Sequence, residues 1–361
     1  MMKTIKHLYI HVPFCKTICS YCDFCHSIYN KNKADLYLNR LQKDLSTIKD
    51  ESYSTIYIGG GTPSCLEENQ IDRLLSMIEK YSLNVEEYTF EVNPENIDEN
   101  KVQLLKKHGV NRVSIGLQSS NNRLLKLMNR HHSFDDVKKC VEIFKNNGIN
   151  NISIDVMYSL PTQSMEDLKE TLDNVLSLDV PHVSLYSLTI EKGTAFDKLG
   201  YETLDSEIEA DMYEYIENVL LRNCYVHYEI ANFAKKGFES RHNIGYWDYD
   251  DYRGLGPGAT GKYGHKRYVE TKDIDTYINE LDTAIVEEIS NKDEAFENIM
   301  MSLRTNKGLD LKVFKERYGF DFLDEYRDIV EKNKDNLLIN DNKCICTNME
   351  ILNTILVDFI D

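Results

Sequence analysis

Cys15-Lys-Thr-Ile-Cys19-Ser-Tyr-Cys22 is the stretch on which the reading of this 361-residue chain turns. It follows an apolar, β-branched run, His7–Val12, which places the three thiols in a loop after a first strand. At C-x3-C-x2-C spacing, Cys15, Cys19 and Cys22 can hold three irons of a [4Fe–4S] cube. The fourth iron is then open to a small molecule, whereas a closed electron carrier takes four cysteines. Zinc is the competing occupant. Structural zinc takes four ligands, usually as two separated pairs, and Cys25 and His26 lie near enough in sequence to complete a knuckle.

Outward from this loop, strand-like and helix-like runs alternate. The spacing predicts strands at Thr55–Ile58, Tyr88–Val92, Arg112–Leu117, Asn151–Tyr158 and His182–Leu188. Between them lie helical patterns at Ala34–Ile48, Gln70–Tyr81, from Asp98 to His108, from Ser133 to Gly148, from Ser164 to Ser177, and at Ile208–Leu221. Asp98, Ser133 and Ser164 are natural N-caps. Strict alternation implies an α/β fold with a parallel sheet and helical crossovers. Some six units make a partial or full TIM-type barrel, with functional residues at the C-terminal ends of the strands.

After Tyr225 the pattern changes. Ser240–Lys262 is rich in Gly, Tyr and Asp without a clear period and reads as a long ordered loop or cap. From Asp293 the chain is mostly helical, and Leu337–Asn340 with Lys343–Thr347 flanks an Asp341-Asn342 turn, as a hairpin would. The expected division is a barrel over 1–235, a connecting segment over 236–285, and a small, mainly helical, winged-helix-like domain over 286–361.

The net charge of −18 argues against a general nucleic-acid binder, which needs a basic surface. The acidic stretch Asp321–Glu331 argues the same for the C-terminal unit. Met1–Ile10 lacks the apolar core of a signal sequence, and no run approaches the roughly 18 apolar residues of a membrane span. The other cysteines are scattered and the total of 9 is odd, as in a reducing compartment; the expectation is cytoplasmic.

Polar residues fall where barrel chemistry should fall. Gly59-Gly60-Gly61-Thr62-Pro63 ends the second strand, Glu91 and Asn93 the third and Gln118 the fourth, while Asp155 lies in the fifth. Singly, each is an ordinary polar group or turn. Jointly, they would line one mouth of one barrel beside the cysteine loop.

These segments resemble radical S-adenosylmethionine (SAM) proteins. The resemblance runs through Tyr9-Ile-His11-Val-Pro13-Phe-Cys15, the cysteine triple with Tyr21, Gly59–Pro63, Glu91-Val-Asn93-Pro94 and Arg112–Ser119. It continues through Asn129–Ser133, Ile154–Pro161, Leu185–Thr194, Tyr228–Ala234 and Arg241–Trp247. The branch resembled is that of anaerobic coproporphyrinogen III dehydrogenase, and within it the HemW-type heme chaperones. The resemblance implies a [4Fe–4S] cluster on Cys15, Cys19 and Cys22, with SAM on the open iron. It implies that Gly60, Gly61 and Thr62 meet the SAM amino group. Glu91, Gln118, Arg130 and Asp155 would hold its polar ends and ribose, Tyr9 and Tyr21 would pack close by, and Thr189 is a further candidate.

His242-Asn243-Ile-Gly-Tyr246-Trp247 matches the H-N-x-x-Y-W pattern linked to heme in the chaperone subgroup. On the residues alone, His242 caps a turn and Trp247, the only tryptophan, anchors it. The resemblance makes His242, Asn243, Tyr246 and Trp247 candidate heme contacts, with heme as cargo. It also implies heme-accepting protein partners and permits a homodimer. Two positions depart from related patterns. Phe24 stands where the oxidase subgroup has a cysteine, and Thr260 replaces a family histidine in a Gly-rich stretch. The rival function is SAM-dependent oxidative decarboxylation of coproporphyrinogen III.

Overall fold

The computed structural model describes residues 5–48 and 52–360. Met1–Thr4, part of the segment read above for a signal sequence, lie outside the described residues.

Six parallel strands form the centre: β1 (His7–Val12), β2 (Thr55–Gly60), β3 (Glu87–Val92), β4 (Arg112–Gln118), β5 (Asn151–Tyr158) and β6 (His182–Ser187). Their apolar residues, such as Leu8, Ile10, Ile58, Phe90, Ile115 and Ile154, are fully buried. That is what a parallel sheet covered by helices demands. The crossover helices start where local chemistry says they should. Asp98 accepts from the Lys101 N–H, and Ser133 and Ser164 form reciprocal capping boxes with Asp136 and Asp167. The first helix begins earlier than its apolar pattern, at Lys31, because Asn30 caps it.

Six more strands extend the sheet. β7 (Val226–Glu229) and β8 (Asn232–Ala234) add antiparallel strands beyond β6. β9 (Tyr252–Leu255) runs parallel to β1, and β10 (Thr260–Tyr263), β11 (Lys266–Val269) and β12 (Ile285–Glu288) follow as an antiparallel meander. The order is β12-β11-β10-β9-β1-β2-β3-β4-β5-β6-β8-β7, so the barrel is partial, with β12 and β7 at its edges.

The expectation of a long loop over Ser240–Lys262 is corrected here. The segment holds a helix, Arg241–Trp247, capped by Ser240, followed by β9 and β10. Strands this short, interrupted by Gly254 and Gly261, show no period in sequence. One apolar core lies between the central strands and the helices that cover them. A separate core, from Ala295 to Phe359, gathers the C-terminal helices around a three-stranded sheet of Leu309–Asp310, Leu337–Asn340 and Lys343–Cys346. Asp341 and Asn342 turn its hairpin with positive φ, as a tight two-residue turn requires.

Candidate cluster and ligand site

The cysteine loop is tied at both ends. Phe14–Cys15 pairs in parallel with Ser27–Ile28 directly beyond β1. The glycine run after β2 packs against this base, and each glycine leaves space for one side chain. A Cβ on Gly59 would lie 2.7 Å from the Glu91 carboxyl carbon, one on Gly60 2.8 Å from the His11 ring, and one on Gly61 2.9 Å from both Cys15 Sγ and the Phe14 carbonyl. Gly60 also has φ +114°, outside ordinary side-chain territory. The Gly61 N–H donates to the Val12 carbonyl and the Thr62 N–H to that of Phe14. The Thr62 hydroxyl donates to Cys15 Sγ at 3.5 Å.

A cavity of about 450 Å³ opens over this base. Cys15, Cys19 and Cys22 line it together with Tyr21, Gly60, Gly61, Thr62, Glu91, Gln118, Arg130, Asp155 and Thr189. Of the residues expected around the cluster and SAM, only Tyr9 lies elsewhere, on the wall of the neighbouring cavity. Burial pushes the Cys15 thiol up to about 11 and that of Cys22 to about 12; iron ligation would displace those protons. Cys25 is not part of this group. Its thiol donates to the Lys272 carbonyl at 3.0 Å and faces the neighbouring cavity. His26 stays beside Cys22, with Nδ1 3.6 Å from Sγ.

The polar wall is charged and held in place. Arg130 lies in the loop after the Asn122–Leu127 helix. Its guanidinium donates to Cys19 Sγ at 3.6 Å, Asn93 Oδ1 at 3.1 Å and the Gly116 carbonyl at 2.5 Å, while its buried Nε has no partner among the described residues. Glu91 accepts from the Tyr57 hydroxyl at 2.6 Å and the Gly60 N–H at 3.1 Å. Burial raises its carboxyl to about 7, and Asp155 adds to the effect while Tyr57 and Gly60 oppose it. Asp155 accepts from the Ser114 hydroxyl at 2.8 Å and is also pushed upward by burial. Gln118 adopts φ +66° at a register shift between β4 and β5, which turns its side chain into the cavity.

A second cavity, about 900 Å³, adjoins the first. Asp23, Phe24, Gly60, Glu91, Tyr186 and Asn243 face both. Its walls carry Asn243, Tyr246 and Trp247 from the Arg241–Trp247 helix, Met300 and Met301 from the C-terminal unit, and the cations Lys262, Arg267 and Lys272. His242 is not on this wall. It is 1% exposed, bonds Thr55 Oγ1 through Nδ1 and the Tyr246 hydroxyl through Nε2, and lies against the Tyr57 ring. Burial pushes its imidazole well below the usual range.

One group on this wall was not singled out from sequence. Glu229 is 1% exposed, and neither carboxyl oxygen has a partner in hydrogen-bond geometry among the described residues. Trp247 Nε1 is equally unpartnered. Burial raises the Glu229 carboxyl to about 7, although Asn232, the Ala231 N–H and Trp247 lie close enough to pull the other way. Asn93, which orients Arg130, was read only as a strand end. The one legible signal was the alternation His7-x-Tyr9-x-His11, which puts three polar residues on the face of β1 opposite Leu8 and Ile10.

Comparisons with known proteins place the family and the fold. The Radical SAM superfamily matches residues 9–175, and the HemN C-terminal domain matches residues 289–350. The heme chaperone HemW of Lactococcus lactis is 40% identical over 355 residues, covering 96% of this chain and 94% of that protein. HemW of Bacillus subtilis is 37% identical, covering 87% of each. The chain belongs to the HemW family of radical SAM proteins. Coproporphyrinogen III oxidase of Escherichia coli superposes with a TM-score of 0.88 over 99% of this chain and 90% of that one, at 20% identity, which shows the shared fold. Family membership implies a [4Fe–4S] cluster and SAM. The residues present fit them: three thiols line one chamber, Gly61 lies where any Cβ would crowd Cys15, and Arg130 keeps a free donor. No helix among the described residues is long and apolar enough to cross a membrane.

Proposed function

We propose that this chain is a heme chaperone, binding heme beside a SAM-liganded cluster and passing it to acceptor proteins in the cytoplasm. The observation that carries the reading is the 900 Å³ cavity adjoining the cysteine chamber. Its size suits a cofactor-sized ligand. Trp247 and Tyr246 supply flat apolar area and Met300 and Met301 adaptable packing; Lys272 offers a cation to propionate carboxylates, whereas Lys262 is paired with Asp251 and Arg267 with Glu287 and Glu297.

In the smaller chamber, Cys15, Cys19 and Cys22 hold the cluster. The backbone of Gly60 and Gly61 and the Thr62 residue receive the SAM amino group, while Glu91, Gln118, Arg130 and Asp155 orient its polar ends and ribose. Tyr21 packs alongside, Thr189 closes the far wall, and Tyr9 stands between SAM and the larger cavity. When bound, the cluster and SAM supply an electron-transfer centre next to the heme; the chain's own residues position both and keep water from the chamber. His242 orients the heme wall from behind, and Asn243 links the two chambers. On this reading residues 1–235 serve the cluster, 236–285 build the heme wall, and 286–361 lid it. Exchange of heme between copies makes a homodimer a further element of the proposal.

The oxidase-like fold favours a second reading, SAM-dependent coproporphyrinogen III decarboxylation. Phe24, 64% exposed between the two cavities, stands where that subgroup is expected to carry a cysteine. Incubating the cluster-loaded chain with coproporphyrinogen III, SAM and a reductant, and separately transferring bound heme to an apo-hemoprotein, separates the two. Heme transfer without turnover is the expected result; turnover would establish the oxidase.

A further inference from the structure

The H-N-x-x-Y-W helix ends a buried hydrogen-bonded file. The Tyr246 hydroxyl lies 2.8 Å from Nε2 of His242, and Nδ1 of His242 lies 2.7 Å from Thr55 Oγ1. The Thr55 hydroxyl is also 2.8 Å from Nδ1 of His7, whose Nε2 is 3.4 Å from Asp250 Oδ2. Asp250 also accepts from the Lys6 ammonium at 3.1 Å. His7, Thr55 and His242 are 5%, 2% and 1% exposed. Gly245 allows the file to close, because a Cβ there would lie 2.4 Å from His7 Nε2.

The direction of every proton follows from one end. Burial works against the Asp250 charge, yet His7 and Lys6 hold its carboxyl down to about 2. A carboxylate only accepts, so His7 Nε2 donates, and in the neutral ring Nδ1 then accepts. The Thr55 hydroxyl gives its proton to His7 and accepts the Nδ1–H of His242. Nε2 of His242 remains an acceptor and takes the Tyr246 phenol proton. Both nitrogens of His242 are thereby consumed. Tyr246, which lines the larger cavity, has its proton committed inward and only oxygen lone pairs left to offer.

We propose that the phenolic oxygen of Tyr246, not a nitrogen of His242, is the protein atom presented to the iron of bound ferric heme. The inference rests on the heme reading above. Tyrosine oxygen is an established axial donor to heme iron. On ligation the Fe–O bond forms and the phenol O–H bond breaks. The proton passes to Nε2 of His242, the Nδ1 proton moves on through Thr55 and His7 to Asp250, and the partly exposed carboxylate releases it to water. The iron stays ferric, so no oxidant or reductant is needed.

The test is resonance Raman and visible spectroscopy of the full, cluster-loaded chain titrated with ferric heme. The wild-type complex should show tyrosinate ring modes enhanced in a phenolate-to-iron charge-transfer band. In Tyr246→Phe those modes should vanish and heme affinity should fall about tenfold or more. Thr55→Val, which keeps the shape but breaks the file, should weaken the tyrosinate signal with Tyr246 still present. A wild-type spectrum retained in Tyr246→Phe would overturn the assignment while leaving heme binding intact. So would an imidazole-type spectrum lost only in His242→Ala. A wild-type chain that binds no heme would overturn both this inference and the reading beneath it.

Discussion

The guanidinium of Arg130 reaches Cys19, with Nη1 3.6 Å from the thiol sulfur, and the same group is fixed by Asn93 Oδ1 at 3.1 Å. A half-buried cation so held faces the chamber where the cysteines and the SAM carboxylate would meet. Arg130→Met should therefore weaken SAM binding by at least about tenfold, the scale of one charged hydrogen-bonding partner lost from a buried site. Equilibrium dialysis of SAM against the cluster-loaded chain reads this directly. Unchanged affinity would remove Arg130 from the SAM site.

Gly61→Ala should prevent cluster assembly. The new Cβ would stand 2.9 Å from Cys15 Sγ and from the Phe14 carbonyl, and the latter is backbone that cannot swing away. Iron and sulfide per chain should fall far below the wild-type value, with the apoprotein still folded. Full loading would show that the base beneath Cys15 can shift.

Cys25→Ser should leave iron and sulfide unchanged, because the Cys25 thiol is engaged with the Lys272 carbonyl outside the cysteine chamber. Cys19→Ala should abolish the cluster. Loss of iron in the serine variant would make Cys25 a ligand and reopen the zinc alternative.

Glu229 makes stability depend on pH. Its folded carboxyl is raised from 4.5 to about 7, so between these values the folded chain binds more protons than the unfolded one. Stability then falls as pH rises through that window, and the cost is fully present above about 7. Glu229→Gln should stabilise the ligand-free chain by about 1–3 kcal/mol at pH 8 and by little near pH 5. Denaturant unfolding at the two pH values checks this. An equal difference at both would mean that the carboxyl is not perturbed.

Much of this was legible in sequence, for identifiable reasons. β1 to β6 bury most of their residues and place an apolar side chain at every second position, and Asp98, Ser133 and Ser164 announce their helices. The residues at the strand ends converge because a parallel barrel brings those ends together. The Ser240–Lys262 segment was opaque because a seven-residue helix and four-residue strands bearing Gly254 and Gly261 carry no period. His242 was read as a heme contact, but its place behind Tyr246 depends on Thr55 and His7, strand residues nearly 190 and 235 positions away whose partners only the fold reveals. Glu229 lay within a quoted motif, yet its unpartnered state exists only once β7 and the Trp247 helix meet.

The measurement that bears most directly on the account is an anaerobic heme titration of the cluster-loaded chain, with Trp247→Ala in parallel. Saturable binding near one heme per chain, weakened in the variant, is the predicted result. Absence of binding, or identical affinity in the variant, would contradict the assignment of the larger cavity to heme.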